Sequence, residues 1–332
     1  MGKIRVAING FGRIGRVFTR AIQNNENIEL VAINDLADTH TLAHLLKYDS
    51  VHRGFNGEIE ALEDAILING KEVKVYKERD PESLPWGELE VDVVVEATGI
   101  FRTKELAMKH VNAGAKKVVI SAPAKGGDVK TVVIGINDNL IDGTEQIISN
   151  ASCTTNCAAP MVKIIDELCH IENGYITTIH SYTGDQRLHD APHTDLRRGR
   201  AAAESIVPTT TGAAKAITKI FPHLHGHMGG VGIRVPVPDG SLTDITCIVK
   251  DPVSAQELNK AFDEASKGSL KGILEYIDEP IVSTDIIGNP HSVIYDSMLT
   301  SVIGNMIKVV GWYDNEAGYS NRIVDLIEKL KS

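Results

Sequence analysis

The stretch KIRVAINGFGRIGRVFTRAIQNN, residues 3–25, leaves few folds open. A β-branched run over 3–8 ends in Gly10-x-Gly12-x-x-Gly15, and an amphipathic run over 15–25 follows at once. Val17, Phe18, Ala21 and Ile22 share one helical face of that run. Strand, glycine turn and helix in direct succession open a βαβ unit whose helix N-terminus can hold an anion. Gly10 permits the tight turn, Gly12 lets backbone approach a pyrophosphate, and Gly15 lets helix and strand pack closely. GxGxxG alone is a common pattern, so its context decides. Asp35 ends a second strand (28–35), 20 residues beyond Gly15. A carboxylate there accepts hydrogen bonds from ribose hydroxyls and repels a 2′-phosphate, which makes NAD the expected cofactor rather than NADP.

The alternation continues with a helix over 41–48, a near-continuous apolar strand over 91–99, a helix over 103–114 closing on Gly114, and a strand over 116–123. Repeated units of this kind imply an α/β chain that opens with a Rossmann-type, doubly wound parallel sheet. Near Asn150 the texture changes. A helix over 157–170 follows Cys153, and strands are expected over 175–183, 228–237, 241–250 and 305–314. Ser254 and Glu257 form a capping box ahead of a helix over 254–266. The expected organisation is an NAD-binding domain over 1–150 and an α+β catalytic domain with a mixed or antiparallel sheet over 151–314. A C-terminal helix (315–332) is expected to pack back on the first domain. The polar stretch 184–200, rich in Arg, His and Asp, reads as a long functional or interface loop.

A length of 332 residues exceeds one ordinary core and suits two domains. The net charge of −10 argues against a general nucleic-acid or anionic-membrane binder. No apolar run approaches membrane-spanning length. The opening MGKIRVAING has no signal-peptide h-region, and four cysteines are no disulfide framework, so a cytoplasmic chain with free thiols is expected.

SNASCTTNC (149–157) carries two of those cysteines. Cys153 follows small polar residues suited to capping a helix, where dipole and free N–H groups stabilise a thiolate and can hold an oxyanion. Cys157 lies one turn further, on the same face. The neighbouring sequence supplies no further ligands for zinc, and the spacing is not that of a CxxC redox pair. Cys157 therefore reads as packing, as do Cys169 and Cys247 in their apolar patterns. No metal is expected. His180, at the end of TTIHSYT, is a candidate base, but spacing alone does not select it among 12 histidines.

INGFGRIGR, SNASCTTNC, HSYTGDQR, RAAAESIVPTTTGAAKA, IRVPVP and WYDNEAGYS follow one another along the chain. Together they resemble the motifs of phosphorylating glyceraldehyde-3-phosphate dehydrogenases, and the similarity spans essentially the whole sequence. LAHLLKYDSVH (42–52) and ISAPAKGGD (120–128) bring it nearest the bacterial glycolytic form.

The resemblance implies oxidation of glyceraldehyde 3-phosphate with NAD and inorganic phosphate to 1,3-bisphosphoglycerate, on a homotetramer. It implies that Cys153 is the nucleophile and His180 the acid–base group. Arg13 and Ile14 would meet the pyrophosphate through backbone, and Arg79 and Ser121 would also contact the cofactor. Asn315 would orient the nicotinamide carboxamide. Ser152, Thr154, Thr211 and Gly212 would receive the attacking phosphate, Thr183 and Arg234 the substrate's own phosphate, and Arg197 would serve that shared anion region. Arg187, Arg198 and Arg200 either add to this positive cluster or form a salt-bridged surface.

The sequence departs from the family pattern at two places. Ala191-Pro192 stands where NAD-specific members carry Leu-Pro, which loosens the case for strict exclusion of NADP. Val237-Pro238-Asp239-Gly240 replaces the more usual Thr-Pro-Asn-Val, a change expected to alter a turn at a subunit interface without touching the chemistry. Erythrose-4-phosphate dehydrogenases share the thiol chemistry and fold. A binding or adhesin role would leave no sequence trace, although the intact cysteine, histidine and glycine set favours an enzyme.

Overall fold

The computed structural model describes residues 2–127 and 129–330. Asp128, which closes ISAPAKGGD, and residues 331–332 of the expected terminal helix lie outside the described residues. The chain divides into two units. One contains the residues up to Val132, Asp138–Ala151 and the residues from Ser320 on; the other contains Val133–Asn137 and Ser152–Tyr319. The short excursion at 133–137 has a packing cause. Gly135 lies against Ile273 and Leu270, with space for a side chain closed at 2.5 Å by Ile273 Cδ1.

The first unit is built on strands Ile4–Asn9 (β1), Ile28–Asn34 (β2), Ile59–Ala61 (β3), Ala65–Ile68 (β4), Lys71–Tyr76 (β5), Val93–Glu96 (β6), Lys117–Ile120 (β7), Lys130–Thr131 (β8) and Ile147–Ser149 (β9). They form one sheet in the order β3-β4-β5-β2-β1-β6-β7-β9-β8. From β5 to β8 every neighbour is parallel, while β3 and β4 extend one edge antiparallel. Helices Arg13–Ala21 (α1), Thr39–Lys47 (α2) and Lys104–Asn112 (α3) connect the strands. Val6, Ile8, Val94 and Val95 are fully buried, as expected of strands covered on both faces. Strand order reverses between β1 and β6. Such a reversal places a ligand crevice at the strands' C-terminal ends, here Asn9-Gly10 and Glu96-Ala97. The β3–β5 meander was not visible in the sequence, because its three strands are short, at three, four and six residues.

The second unit carries an eight-stranded mixed sheet. Its strands are Ile171–Ser181 (β10), Val207–Thr209 (β11), Met228–Val235 (β12), Ser241–Val249 (β13), Leu274–Ile277 (β14), Val293–Asp296 (β15), Ser301–Ile303 (β16) and Met306–Tyr313 (β17). The order is β11-β12-β10-β13-β17-β15-β14, with β16 paired to β17. Helices Cys153–Cys169 (α4), Ala213–Ile220 (α5) and Ala255–Lys267 (α6) accompany it, and α6 starts with the expected capping box. Helix Ala317–Lys329 (α7) closes the chain.

Burial alternates residue by residue along β13, so that Thr243, Ile245 and Cys247 form one inward face. Helix α4 lies across that face and packs on β10, β13 and β17. Its approach to β17 is close because Gly311 has no side chain. A methyl group there would sit 2.8 Å from Met161 Sδ on α4 and 2.6 Å from Val293 Cγ2. The stretch 184–200 forms no regular element. It is laced instead by ion pairs of Arg198 with Asp185 and of Arg200 with Asp190.

Candidate active site and cofactor cleft

In the first unit, a cleft of about 390 Å³ opens at the reversal point, lined among others by Gly10, Gly12, Asp35, Arg79, Thr98 and Phe101. Each glycine of the turn has a physical reason. Gly10 has φ +93°, and a side chain on it would meet Thr98 N at 2.8 Å. Gly15 would place a methyl 2.6 Å from Gly10 O, so only glycine lets α1 pack on the turn. Gly12 is the N-cap of α1, has no side-chain cap, and faces open space. An uncapped helix N-terminus facing an open cleft is the donor set a pyrophosphate requires. Asp35 accepts the N–H of Phe11 at 2.8 Å and of Ala37 at 3.0 Å, which fixes its carboxylate at the cleft. These residues fit a dinucleotide.

Arg13 and Ile14 occupy the first turn of α1. The Arg13 guanidinium is turned to Asp49, with Nη1 at 2.5 Å and Nη2 at 3.2 Å, which leaves its backbone for the ligand role expected of it. Burial works against the charge on Asp49, but Arg13 and the N–H groups of His52 and Val51 outweigh it and hold the carboxyl at about 2. Ser121 directly follows β7, and its N–H bonds to Glu96 O at 3.0 Å. Asn315 belongs to the second unit.

In the second unit, Ser152 caps α4, its Oγ accepting the Thr155 N–H at 3.1 Å, and Cys153 is the first helical residue. Cys153 Sγ lies 3.4 Å from His180 Nε2. Inward alternation along β10 buries Thr178 and His180 on one face. The parallel register pairs His180 with Arg234 on β12, so the arginine stands beside the imidazole. Arg234 Nη1 is 2.7 Å from His180 Nδ1 and donates to Ser181 O at 3.0 Å. Burial first, then Arg234, push the His180 imidazole down to about 3, so the ring is neutral at physiological pH. Burial raises the Cys153 thiol, while Arg234 and the Thr154 N–H and hydroxyl oppose that rise. The other cysteines are buried thiols, and only at Cys157 does a neighbour, the Thr243 side chain, oppose the rise. Burial pushes Cys157 far up, and its Sγ rests 3.7 Å from Gly311 O. Cys247 is pushed up to about 12.

Tyr313, which the sequence reading passed over, is buried at the centre of this cluster. Its hydroxyl bridges Thr154 Oγ1 at 2.9 Å and Thr178 Oγ1 at 2.8 Å, and its ring stands edge-on to His180. The signal was present in the alternation of β17, which turns Gly311 and Tyr313 to the same face. Asn315 Oδ1 accepts from the hydroxyls of Ser181 at 2.9 Å and Ser241 at 2.7 Å. Both acceptor sites are thereby taken, and its amide N–H groups are aimed elsewhere.

The anion candidates separate by partner. Arg198 and Arg200 are paired with aspartates, and Arg187 Nε donates to Pro192 O. Among the described residues no carboxylate pairs with Arg197 or Arg234. Thr211 Oγ1 accepts the Ala213 N–H at 3.2 Å, and Gly212 caps α5 with open space around it, a second helix N-terminus. Thr183 receives Gln186 Oε1 on its N–H at 3.3 Å.

The departure at Asp239 reaches further than a turn. Asp239 is buried, and burial together with Asp314 and Glu316 pushes its carboxyl up to about 9. Asp314, one of the carboxyls beside it, directly precedes Asn315.

Residues 4–104 match the family model for the NAD binding domain of glyceraldehyde 3-phosphate dehydrogenase, and residues 152–315 match that for its C-terminal domain. The chain is 57% identical over 329 residues to the glyceraldehyde-3-phosphate dehydrogenase of Thermotoga maritima, covering 98% of both chains. It is 54% identical over 331 residues to that of Geobacillus stearothermophilus, covering 99% of this chain and 98% of the relative. It is 55% identical over 326 residues to glyceraldehyde-3-phosphate dehydrogenase 2 of Streptomyces avermitilis, covering 97% of both.

Proposed function

Because the chain belongs to the glyceraldehyde-3-phosphate dehydrogenase family, we propose a division of labour in which its Cys153 and His180 carry the NAD-dependent oxidation of glyceraldehyde 3-phosphate. The observation that carries this reading is the 3.4 Å contact between a helix-N-terminal thiol and a neutral imidazole. As Cys153 Sγ attacks the aldehyde carbon, His180 Nε2 takes the thiol proton and can return it to the oxyanion, giving a hemithioacetal. The N-terminus of α4 faces the developing oxyanion. NAD, when bound, supplies the hydride acceptor. His180 removes the hydroxyl proton as hydride departs, leaving a thioester on Cys153. Inorganic phosphate then attacks the thioester carbon, the C–S bond breaks, and the acyl phosphate leaves with the thiolate regenerated.

Two contacts compete at His180 Nδ1. The Ser181 carbonyl at 2.8 Å calls for a proton on that nitrogen, whereas the Arg234 donor calls for none. A substrate phosphate that engages Arg234 removes the competing donor and favours the Nδ1–H tautomer, whose Nε2 is free to act as base. Arg197 and Thr183 support Arg234 in holding phosphate groups. The donors at Ser152, Thr154, Thr211 and the Gly212 helix start receive the attacking phosphate. Gly10, Gly12, Gly15, Arg13, Ile14, Asp35, Arg79 and Ser121 bind NAD, and Asn315 orients its carboxamide.

No helix of the described residues is long and apolar enough to cross a membrane. We read the protein as cytoplasmic and as a homotetramer. The second unit exposes Leu188 (73%), Leu196 (85%) and Ile206 (68%), a surface that self-association would cover. The function is tested by NADH formation from glyceraldehyde 3-phosphate with and without inorganic phosphate, repeated with NADP. The expected result is turnover that requires phosphate and prefers NAD; turnover indifferent to phosphate would remove the acyl-phosphate step.

A further inference from the structure

Behind the glycine turn lies a set of buried polar groups that the chemistry above does not use. Glu96 ends the otherwise apolar β6 and is 1% exposed. Its Oε1 accepts the Thr98 N–H at 2.9 Å and also the Thr98 hydroxyl, and its Oε2 accepts Asn9 Nδ2 at 2.6 Å. His110 on α3 is wholly buried and places Nε2 3.1 Å from the same Oε2. Trp86 Nε1, which can only donate, lies 3.0 Å from His110 Nδ1. Nδ1 therefore accepts, the ring proton resides on Nε2, and it is donated to Glu96. All four groups around the carboxylate are donors, a set that suits an acceptor-only anion.

A buried anion is costly even when fully hydrogen-bonded, and an apolar residue would complete the core at less expense. What the anion does instead is tie the walls of the cleft together. Thr98 lines the cleft, and its Oγ1 takes the Ile100 N–H at 3.0 Å. Thr98 N and Cγ2 also occupy the space beside Gly10. Asn9 Oδ1 accepts Asn34 Nδ2 at 2.7 Å. Asn34 in turn clasps the backbone of Glu78, donating to its O at 2.9 Å and accepting its N–H at 2.8 Å, directly before Arg79. One carboxylate thus fixes the glycine turn and both flanks of the crevice.

We propose that Glu96 is a positioning residue of the NAD cleft, holding Thr98 and Asn9 in the cofactor-binding geometry, with His110, locked by Trp86 as an Nε2–H donor, completing the set. The inference rests on the reading of this cleft as the NAD site.

Glu96→Gln replaces one of the two acceptor oxygens by a donor, so either the Thr98 N–H or the Asn9–His110 pair loses its acceptor. The expected result is an NAD Kd by calorimetric titration, and an NAD KM, weakened about tenfold, the usual effect of stranding a buried donor. Turnover at saturating NAD and the KM for the aldehyde stay within about twofold. The double variant Asn9→Asp/Glu96→Gln exchanges donor and acceptor. The new amide donates to the new carboxylate, which His110 Nε2 also reaches, since it lies 3.3 Å from Asn9 Nδ2. NAD affinity is expected to recover in this double variant. Unchanged NAD affinity in Glu96→Gln, while Asp35→Ala weakens it, overturns the inference and leaves the cleft reading standing. Unchanged affinity in both overturns the cleft reading and the inference with it. A uniform loss of turnover and of both KM values, unrecovered by the exchange, also overturns the inference. Should Glu96→Gln fail to fold, Thr98→Val removes one donor to Glu96, together with the acceptor for the Ile100 N–H, at constant shape. It is read the same way, with NAD binding expected to weaken while aldehyde KM holds.

Discussion

Tyr313→Phe isolates the hydroxyl that joins the two halves of the catalytic pair. The ring stays, and with it the edge-on contact to His180 at 5.9 Å between centroids. The change removes the bonds to Thr154 Oγ1 at 2.9 Å and Thr178 Oγ1 at 2.8 Å. Thr154 directly follows Cys153 on α4, and Thr178 lies two residues before His180 on β10. At about 1 kcal/mol net for each bond, the variant should lose about 2 kcal/mol of stability. Both threonine hydroxyls remain buried, at 5% and 3% exposure, so water does not replace the lost partner freely.

If the bridge also sets the sulfur–imidazole distance, kcat should fall about tenfold, because small misplacements of reacting groups are expensive. The assay pairs steady-state kcat/KM with the rate of iodoacetamide alkylation of Cys153 and with denaturant unfolding. A double-mutant cycle with Thr178→Val should show a coupling of about 1 kcal/mol in both stability and kcat/KM. Full activity in a variant destabilised by the expected amount would refute the reasoning, since it would make the bridge structural alone.

Two further outcomes follow. Cys153→Ser should abolish turnover and iodoacetamide labelling, whereas Cys157→Ser should retain most activity and lose some stability, as read by kinetics and melting; equal activity losses would reassign the nucleophile. Asp239 is protonated when folded and ionised when unfolded between its ordinary carboxyl range and about 9, so folded molecules hold the extra proton and stability declines as pH rises through that window. Asp239→Asn should remove this decline, so that the variant gains on the parent from pH 5 to pH 9 in unfolding experiments; a constant difference across that range would show that Asp239 does not titrate there.

The sequence carried the architecture of the first unit well, because βαβ alternation is written in local periodicity and because Gly10, Gly12 and Gly15 form one contiguous strand–turn–helix motif. Asp35 was legible for the same reason. His180 was not separable from 11 other histidines by pattern, since its role depends on the register between β10 and β12 that brings Arg234 beside it. Tyr313 and Glu96 were missed because each acts through partners more than 80 residues away or across the sheet, as Glu96 does with Asn9 and Tyr313 with Thr154. Asp239 was legible only as a turn residue, because its burial among other carboxyls comes from the fold. The helix Ala213–Ile220 escaped notice, as its short run offered too few turns for periodicity to register.

The glycine under α4 has a consequence for how this enzyme can be altered. Cys153 travels with the helix and His180 with the sheet, so their separation is measured by the thickness of the layer between them. At Gly311 that layer is thin, one backbone against Met161. Added bulk there would act as a shim, lifting the sulfur away from an imidazole that stays where it was. Engineering for a fuller core would then trade reactivity for robustness at this position, even though it touches neither substrate nor cofactor.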